Sequence, residues 1–276
     1  MKLDQSRYEE FWRNPERYRL IYELNIVPTV PNYSLARGIA FHVIANLEVE
    51  GRTEQEIDLV LTGQVSDNTG RTLSLQPKAI ATAKVLWNYY KSNCPYANLP
   101  VLASESEFEF ALYDSPHKGV GRLDRLIRVN GELWLHEFKT TNPKKKYDQA
   151  VDEWAQKKQA DFEILGARAL GYDPFGLIVS YVIEASPPRL MEPVIVKRTE
   201  DKLNASIVQI HETCEIIELL KRTVGIHTPW VHLFNYPCNR LDACEYQGIC
   251  CRAGEIAMPE GFKKREEHLE LLRSGQ

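Results

Sequence analysis

The sequence predicts an α/β fold, a mixed β-sheet flanked by helices, with a helical N-terminal portion and a C-terminal cysteine segment. The first hundred residues carry mainly helical patterns. Between residues 101 and 200, strand-like segments with period-two alternation stand on both sides of a helical stretch. A long helical pattern and a group of cysteines occupy residues 201–276. No repeat or linker divides these parts, so we expect a single domain over residues 1–276.

The composition excludes several classes of protein. With 276 residues, 43% of them hydrophobic and 26% charged, the chain has the mixture of an ordinary globular protein with a sizeable core. No apolar run approaches the roughly 20 residues that a membrane helix needs, and the charged N-terminus lacks the apolar region of a signal peptide. We therefore expect a cytoplasmic protein, or one in the host cytoplasm if a phage encodes it, with no membrane partner.

The net charge of −4 argues weakly against a nucleic-acid partner, since many DNA-binding domains are basic. Net charge averages over the whole surface, however, whereas a phosphate-binding groove is local. The local basic groups are Lys118, Arg122, Arg125, Lys144, Lys145, Lys146, Lys157 and Lys158. A lysine run is usually a solvated surface, but these groups bracket the acidic site described below.

Helical patterns account for most of the N-terminal portion. Residues 4–23 form the first helix, and the Pro-rich segment VPTVPNYS connects it to the next. We expect Ser34 to cap a helix that carries Arg37 and runs to about Val49. The two further helices predicted here are residues 53–62 and 77–92.

The pattern changes to strands at FEFALYD, residues 108–114. The next two strands, GRLDRLIRV and ELWLHEFKT, are separated by Asn130-Gly131, a strong signal for a two-residue hairpin turn. A helix over residues 148–171 follows, and Gly171 ends it. The remaining predicted elements are the strands GLIVSYVIEA and EPVIVKRT, a helix over roughly 200–222, the cysteine segment and a short terminal helix.

The hairpin determines which residues of its two strands face each other. If Asn130-Gly131 is the turn, Val129 faces Glu132, and the following pairs can be counted outward along both strands. That count places Asp124 directly opposite Glu137, with Cβ atoms about 4.5–5.5 Å apart. The sequence therefore predicts two opposed carboxylates on neighbouring strands.

Continuing the count places Arg122 opposite Lys139, and strand alternation puts both on the same face as Asp124 and Glu137. Two like charges directly opposed on a sheet destabilise it, so the carboxylates need compensation. A hard divalent cation such as Mg²⁺ or Mn²⁺ prefers carboxylate oxygens and would provide it. The alternative is a solvated cross-strand cluster of ion pairs. Flanking helices favour the metal site, because buried carboxylates need partners.

Four segments, in this order, carry recognisable motifs: GIAFH at 38–42, GRLD at 121–124, EFKTT at 137–141 and QADFEILGARALG at 159–171. The middle two resemble the paired motifs of the PD-(D/E)XK nucleases, specifically the RecB-like exonuclease branch. The first is similar to that branch's G-x-x-x-H motif, and the last is similar to its Q-x-x-x-Y helix. With the cysteines, the resemblance covers roughly residues 8–250.

The resemblance implies a restriction-endonuclease-like fold and a metal-dependent DNA nuclease, an exonuclease acting in recombination, repair or phage DNA processing. It implies that Asp124 and Glu137 bind Mg²⁺ or Mn²⁺ and that His42 completes the metal site. It assigns Lys139 to the attacking water or the phosphate. Gln159 is the fourth implied catalytic residue, after Asp124, Glu137 and Lys139, and supports the substrate.

Other positions qualify this assignment. Glu163 stands where the branch usually has tyrosine, which puts that substrate contact in doubt. Glu105 occupies a place where some relatives carry a glutamate. The basic residues that we expect to contact DNA are Arg122, Arg125, Lys157 and Lys158.

The cysteines Cys238, Cys244 and Cys250 resemble those of the iron–sulfur members of this branch, which include AddB and CRISPR-associated RecB-like exonucleases. The segment CEYQGIC is similar to their C-x-Y-x-x-x-C ending. The resemblance implies a [4Fe-4S] cluster, for which four thiolates are the ordinary ligand count. In those relatives the fourth comes from an N-terminal C-P-x-x-Y phrase, in which Asn14 here replaces the cysteine.

Several interpretations of the cysteines stay open. The fourth ligand of a cluster could be Cys94, Cys214 or Cys251. The segment could also form a three-cysteine or zinc site, or a vestigial site without metal. The simplest alternative is that the thiols pack as small hydrophobic groups. A cluster or its remnant would have a structural role, fastening the C-terminal segment beside the N-terminal helices.

Two functions other than nuclease remain compatible with the sequence. One is a non-catalytic DNA-binding scaffold, against which the intact Asp124, Glu137 and Lys139 argue. The other is a metal-stabilised interaction module that joins a partner protein in a recombination or repair complex. The substitutions at Asn14 and Glu163 leave room for that second function.

Overall fold

The computed structural model describes residues 1–28, 31–66, 72–230 and 262–264. Within these ranges, eight α-helices flank a seven-stranded mixed sheet, which confirms the predicted α/β class. None of the helices in the described ranges is both long enough and apolar enough to cross a bilayer.

The described residues form eight α-helices. They are α1 (Gln5–Arg13), α2 (Pro15–Tyr18), α3 (Tyr33–Val49), α4 (Glu54–Thr62), α5 (Pro77–Asn93), α6 (Tyr147–Gln156), α7 (Lys158–Ala169) and α8 (Glu200–Thr223), with a π-helical turn, Arg19–Glu23, after α2. The strands are β1 (Lys2–Leu3), β2 (Ile26–Pro28), β3 (Gln64–Ser66), β4 (Thr72–Ser74), β5 (Val101–Ala111), β6 (Lys118–Val129), β7 (Glu132–Thr141), β8 (Gly176–Ile183), β9 (Arg189–Leu190), β10 (Val194–Val196) and β11 (Phe262–Lys264).

The main sheet runs in the order β1-β6-β7-β8-β10, and β5 and β9 pair with β6 and β8. Strands β5, β6 and β7 are antiparallel, whereas β7 and β8 are parallel. A parallel pair needs a crossover connection, and α6 and α7 provide it. Two small antiparallel pairs, β3 with β4 and β2 with β11, lie outside this sheet.

Two cores pack on the sheet. One contains apolar side chains of α1, α7 and α8 together with those of β5, β6 and β8. The other contains side chains of α3, α4 and α5, and Phe138 of β7 and Val182 of β8 join it. The central strands therefore have helices on both faces, which keeps their polar side chains away from bulk solvent.

The predicted single helix over residues 4–23 is wrong, because it is broken at Asn14. Asn14 is extended, with φ −159° and ψ 96°, and its side chain accepts a hydrogen bond from the backbone N–H of Arg17 at 3.0 Å. Proline has no N–H to continue a helix but suits its first position, so Pro15 begins α2. Asn14 thus ends one helix and caps the next.

Two other predicted boundaries need correction. Asn32, not Ser34, caps α3, and its side chain accepts from the N–H of Leu35 at 2.9 Å. The predicted helix over 148–171 is two helices, because Lys157 is extended (ψ 124°) between α6 and α7. The first error arises because Asn32 and Ser34 both satisfy the capping rule, whereas Lys157 makes no side-chain capping hydrogen bond.

The remaining predicted elements agree with the structure in type. Thr53 and Glu56 form a capping box at the start of α4. Asn130 and Gly131 have φ values of 50° and 90°, as the predicted hairpin turn requires. Strand β5 begins seven residues before the predicted 108–114. The short strands β1, β2, β3, β4, β9 and β11 were not predicted. The predicted terminal helix and the cysteine segment lie outside the described residues.

Candidate active site

The structure brings His42, Asp124, Glu137, Lys139 and Gln159 together where helices from both faces reach the sheet. His42 lies on α3, Asp124 on β6, Glu137 and Lys139 on β7, and Gln159 on α7. Helix α3 contacts β5 and β7, and α7 contacts β5, β6 and β8. Side chains from α3, from the β6–β7 hairpin and from α7 therefore meet at one place.

The β6–β7 hairpin has the predicted register. Its recorded pairs run from Val129↔Glu132 at the turn to Leu126↔Leu135. Asp124 and Glu137 lie two residues beyond the last pair, where the same count places them opposite each other. Their carboxylates remain close, as the metal-binding geometry shows.

His42, Asp124 and Glu137 form a group that could hold a metal ion. One ligand atom from each side chain lies within 4.8 Å of the other two, and His42 Nδ1 is 3.3 Å from Asp124 Oδ2. Ligands on opposite sides of an ion with bonds of about 2.1 Å lie roughly 4.2 Å apart. The three side chains are therefore close to coordinating distance without any change of backbone.

The hydrogen bonding of this group also fits a cation. Asp124 Oδ2 and Glu137 Oε1 are inaccessible to solvent; Asp124 Oδ2 accepts no hydrogen bond from the described residues, and Glu137 Oε1 contacts Lys139. Buried polar atoms normally have partners, and an exception needs an explanation. A divalent ion between the two carboxylates would satisfy both oxygens, and oxygen donors with one imidazole suit Mn²⁺ or Mg²⁺.

Lys139 forms an ion pair with Glu137. Burial by itself would raise the pKa of Glu137, but Lys139 and then His42 outweigh it and lower that pKa to about 2. The pKa of Lys139 is raised in turn, because Glu137 and Asp124 outweigh the effect of burial on the ammonium group. Glu137 is therefore ionised and Lys139 protonated, so Lys139 is suited to holding a phosphate or orienting water rather than to removing a proton.

Burial disfavours the charged forms of the other two members of the group in metal-free protein. Burial lowers the pKa of His42 to about 4, which leaves its imidazole uncharged at neutral pH and able to act as a ligand. Burial and the neighbouring Glu137 raise the pKa of Asp124 well above its usual value. The charge of a divalent cation would reverse that effect on Asp124.

Glu163 is an addition to the site that the motif did not predict. It lies one turn after Gln159 on α7 and is only 5% exposed. Gln159 Nε2 donates to Glu137 Oε2 at 2.9 Å and to Glu163 Oε1 at 2.8 Å. Burial, and then Glu137, raise the pKa of Glu163 well above its usual value. The sequence signal was its place in the Q-x-x-x-Y motif, where glutamate stands in place of the usual tyrosine.

Glu105 borders the site in an unusual backbone conformation. Its φ of 51° lies in the left-handed region inside strand β5, which costs a residue other than glycine roughly 1–3 kcal/mol. Its carboxylate contacts Asn46 of α3 and Arg122 of β6. Burial raises the pKa of Glu105, and Arg122 partly offsets that rise. Strain of this kind is concentrated at functional sites.

Arg37, which sequence reasoning did not assign to the site, joins α3 to the ends of two central strands. Its guanidinium donates to Thr140 Oγ1 at 3.2 Å and forms an ion pair with Glu184. Tyr33 donates to the other oxygen of Glu184 at 2.7 Å. These contacts fix α3, and with it His42, relative to Lys139 and its neighbours on β7. The available signal was the position of Arg37 directly before the G-x-x-x-H motif.

The four residues expected to contact DNA have different surroundings. Arg122 is the most accessible, with its side chain 41% exposed beside Glu105. Arg125 is buried, and its guanidinium donates to the carbonyl of Ala45 at 2.7 Å and lies over the rings of Trp87 and Phe138. This placement gives Arg125 a packing role.

The two lysines at the start of α7 also differ. Lys157 lies 4.7 Å from the ring centre of Trp154 and forms an ion pair with Glu153. Lys158 is largely covered and contacts Asp161 at 3.2 Å and Ser206 at 2.7 Å. Lys158 therefore joins α7 to α8. The contacts of Lys157 and Lys158 with DNA remain predictions.

Cys238, Cys244, Cys250 and Cys251 lie outside the described residues. Cys94 and Cys214 are buried in different cores, Cys94 with α3–α5 and Cys214 with α1, α7 and α8. Burial raises the pKa of Cys214 to about 12, so its thiol is protonated. Their part as a fourth cluster ligand stays a prediction.

The residues that lead into the cysteine segment are attached to the N-terminal helices. Trp230 is fully buried against Phe11 and Tyr18. Its backbone N–H donates to Glu16 at 2.9 Å, and Glu16 forms a fully buried ion pair with Arg19. The chain thus enters the cysteine segment beside α2, the helix that Asn14 caps.

Comparisons with known proteins give one match to a family model and a match in fold. The sequence model of the PD-(D/E)XK nuclease superfamily matches residues 2–251. No curated protein sequence matches the chain.

Among solved structures, the chain is similar to a crystal structure of a "putative exonuclease" from Eubacterium rectale, with a TM-score of 0.56 at 11% identity, over 100% of this chain and 94% of that one. A crystal structure of SSO0001 has a TM-score of 0.38 at 16% identity, over 85% of this chain and 93% of that one, which is too low to support an argument. The first similarity concerns the fold alone. Together with the mixed sheet and its flanking helices, it shows the restriction-endonuclease-like fold.

Proposed function

The chain belongs to the PD-(D/E)XK nuclease superfamily, and from that premise we propose that it is a metal-dependent deoxyribonuclease of the RecB-like exonuclease branch. Membership makes it a nuclease, a hydrolase of phosphodiester bonds, in a superfamily that uses divalent metal ions. The proposal adds that the ion is Mg²⁺ or Mn²⁺, that the substrate is DNA and that attack begins at a chain end. The convergence of His42, Asp124 and Glu137 beside Lys139 is the observation that carries it.

His42, Asp124 and Glu137 would hold the cation. A bound divalent ion supplies Lewis-acid chemistry, activating water and stabilising negative charge on the phosphodiester. His42 contributes a neutral nitrogen ligand because burial lowers its pKa to about 4. Glu137 contributes an ionised carboxylate at every pH near neutrality, since its pKa is about 2.

Lys139 and Gln159 position the reacting groups. Lys139 carries a full charge and its side chain is 29% exposed, so its ammonium group can reach a phosphate oxygen while it remains beside Glu137. Gln159 holds the other oxygen of Glu137 at 2.9 Å. An ammonium group placed where negative charge develops stabilises the transition state more than the ground state.

DNA would approach from the side on which Lys139 and Arg122 are accessible. Arg122 is 41% exposed, and a phosphate could share its guanidinium with Glu105. The chain has a net charge of −4, so local groups such as these must supply the attraction to phosphate. We assign the enzyme to recombination, repair or phage DNA processing, with DNA and a partner protein of such a complex as its partners.

For the cysteine segment we propose a structural [4Fe-4S] cluster or its remnant. The contacts of Trp230 with Phe11, Tyr18 and Glu16 support this role. They place the last described residue before the cysteine segment beside α2, near the position at which relatives supply their N-terminal cysteine. Asn14 occupies that position and caps α2.

Digestion of end-labelled linear DNA and of closed circular DNA tests the catalytic proposal. We expect Mg²⁺ and Mn²⁺ to support degradation of linear DNA, EDTA to stop it, and circular DNA to resist it. Asp124→Ala should be inactive, and Glu200→Ala, on an exposed ion pair with Arg168, is the matched control that should cut normally. Cutting of circular DNA would refute the exonuclease assignment, and cutting in EDTA would refute the metal dependence. DNA binding without metal-dependent cleavage would instead identify the non-catalytic scaffold.

A further inference from the structure

The amide of Gln159 stands between two carboxylates. Its nitrogen donates to Glu137 Oε2 at 2.9 Å and to Glu163 Oε1 at 2.8 Å. An amide nitrogen has two hydrogens, and these contacts use both. Turning the amide over would place its oxygen against two carboxylate oxygens, so the surroundings select one orientation.

Both carboxylate oxygens of Glu137 are held by neighbouring side chains. Oε2 accepts from Gln159, and Oε1 forms the ion pair with Lys139. Glu137 is 1% exposed and cannot exchange these partners for water. Groups around a metal site orient the ligands in this way, because a ligand that is already in place loses little freedom when the ion binds.

Glu163 anchors the arrangement from the helix. It lies four residues after Gln159 on α7, so the two side chains are neighbours on one helical face. Without an acceptor at Glu163, the Gln159 amide would keep one partner and could rotate about its long, flexible side chain. Glu163 does not belong to the group of potential metal ligands found in the described ranges, which comprises His42, Asp124 and Glu137.

We propose that Glu163 is a positioning residue that acts through Gln159 to hold Glu137 in its metal-binding orientation. This inference rests on the proposed metal-dependent function of the same site. Glu163 provides a hydrogen-bond acceptor, so an amide oxygen in its place does the same work, whereas an apolar side chain does not.

The test measures Mn²⁺ binding to the full chain without DNA, by calorimetry and by the electron paramagnetic resonance signal of free Mn²⁺. The variants are Glu163→Gln, Glu163→Leu, Gln159→Leu and the double Leu variant, with Glu200→Gln as an exposed control. Loss of a group that orients a metal ligand weakens metal affinity by roughly 10–100-fold. We expect a loss in that range for Glu163→Leu and Gln159→Leu, and a change below about threefold for Glu163→Gln and the control.

The double variant distinguishes a shared pathway from two separate effects. If Glu163 acts only through Gln159, the double variant binds Mn²⁺ no more weakly than Gln159→Leu alone. Additive losses would overturn the inference, and so would equal losses in Glu163→Gln and Glu163→Leu, since charge rather than hydrogen-bond acceptance would then matter. Gln159 is partly exposed, so we expect Gln159→Leu to fold even if Glu163→Leu does not. Weak Mn²⁺ binding by Gln159→Leu together with normal binding by Glu163→Gln would then support the role of Glu163 as a hydrogen-bond acceptor.

Wild-type binding separates the two levels of the argument. Normal Mn²⁺ binding by the wild type and by Glu163→Leu would overturn this inference and leave the proposed nuclease intact. Failure of the wild type to bind Mn²⁺ would overturn the metal-dependent function and this inference together.

Discussion

Helix α7 carries two buried carboxyl groups, Asp161 and Glu163, whose surroundings differ. Asp161 contacts Arg198 and Lys158 and accepts a hydrogen bond from Ser206 at 2.6 Å. Its negative charge is balanced, and the cluster joins α7 to α8 and to the residues after β10.

On the side of Glu163, acidic groups outnumber basic ones. Glu163 lies beside Glu137 and Asp124, and Lys139 forms an ion pair with Glu137. Asp124 Oδ2 has no hydrogen bond from the described residues. A buried cluster in which acidic and basic groups are matched holds helices together. A buried cluster with more acidic than basic groups can bind a cation.

The largest expected effect is on catalysis. Asp124→Ala or Glu137→Ala should reduce cleavage of end-labelled DNA to background, because each removes a proposed metal ligand. The melting temperature of metal-free Asp124→Ala should hold or rise, since one of two opposed carboxyl groups is gone, whereas Glu137→Ala also removes the partner of Lys139 and should lower it. Cutting at the wild-type rate by either variant would refute the site assignment. A large loss of stability in Asp124→Ala would mean that Asp124 stabilises the fold as Asp161 does, which would contradict the comparison.

The reverse is expected at Asp161. Asp161→Ala leaves the covered cations of Arg198 and Lys158 without their carboxylate, and breaking a buried pair in this way costs about 3–5 kcal/mol. Urea unfolding measures the loss in free energy of unfolding. Glu200→Ala removes an exposed partner of Arg168 and should change the free energy by at most about 1 kcal/mol. Equal effects at both positions would mean that burial of the cluster is unimportant.

Metal binding should strengthen as pH rises. The pKa of Asp124 is raised, so the metal-free protein keeps a proton there at pH values at which an exposed aspartate is ionised. The cation must displace that proton, and affinity should therefore increase by up to about tenfold per pH unit until Asp124 ionises. His42, with a pKa of about 4, is already neutral above about pH 5 and adds no such dependence.

Calorimetric titration of Mn²⁺ in two buffers with different ionisation enthalpies counts the protons released on binding. Proton release that is absent across the whole range would show that Asp124 is already ionised, and would contradict the raised pKa of its carboxyl group.

A smaller effect is expected at His42. Imidazole suits Mn²⁺ better than Mg²⁺, which prefers oxygen, so Mn²⁺ should support cleavage at least as well as Mg²⁺. His42→Ala should reduce the rate and shift the preference toward Mg²⁺. Rates measured over a series of concentrations of each ion provide the test, and an unchanged rate and preference would reduce His42 to a packing residue against Phe138.

The smallest effect concerns Asn14. Asn14→Cys removes the cap of α2, which should cost about 1 kcal/mol in protein without a cluster. If the cysteine segment binds iron and sulfur, anaerobically purified protein should be brown, and the same substitution should improve retention of the cluster in air. Colourless wild-type protein without iron or zinc after anaerobic preparation would refute the cluster and leave the nuclease site unaffected.

Features of the fold that depend on a few neighbouring residues could be predicted from the sequence, and features that depend on distant contacts could not. The hairpin register followed from two turn residues, Asn130 and Gly131, and from alternation along the flanking strands. The break at Asn14 was missed although Pro15 marked it, because the apolar pattern continued on both sides. The start of α3 was misplaced because Asn32 and Ser34 are equally suitable caps, and only the path of the chain selects between them.

The sequence by itself determined the order of the site residues and the pairing that opposes Asp124 and Glu137, because turn chemistry and strand alternation act over a few residues. It could not distinguish Asp161 from Glu163, which are two positions apart on the same helix. The difference arises from Arg198 and Ser206 on one side of α7 and from the β6–β7 hairpin on the other. A carboxyl group's charge and role depend on what surrounds it within a few ångströms, and only the packing of distant segments supplies those neighbours.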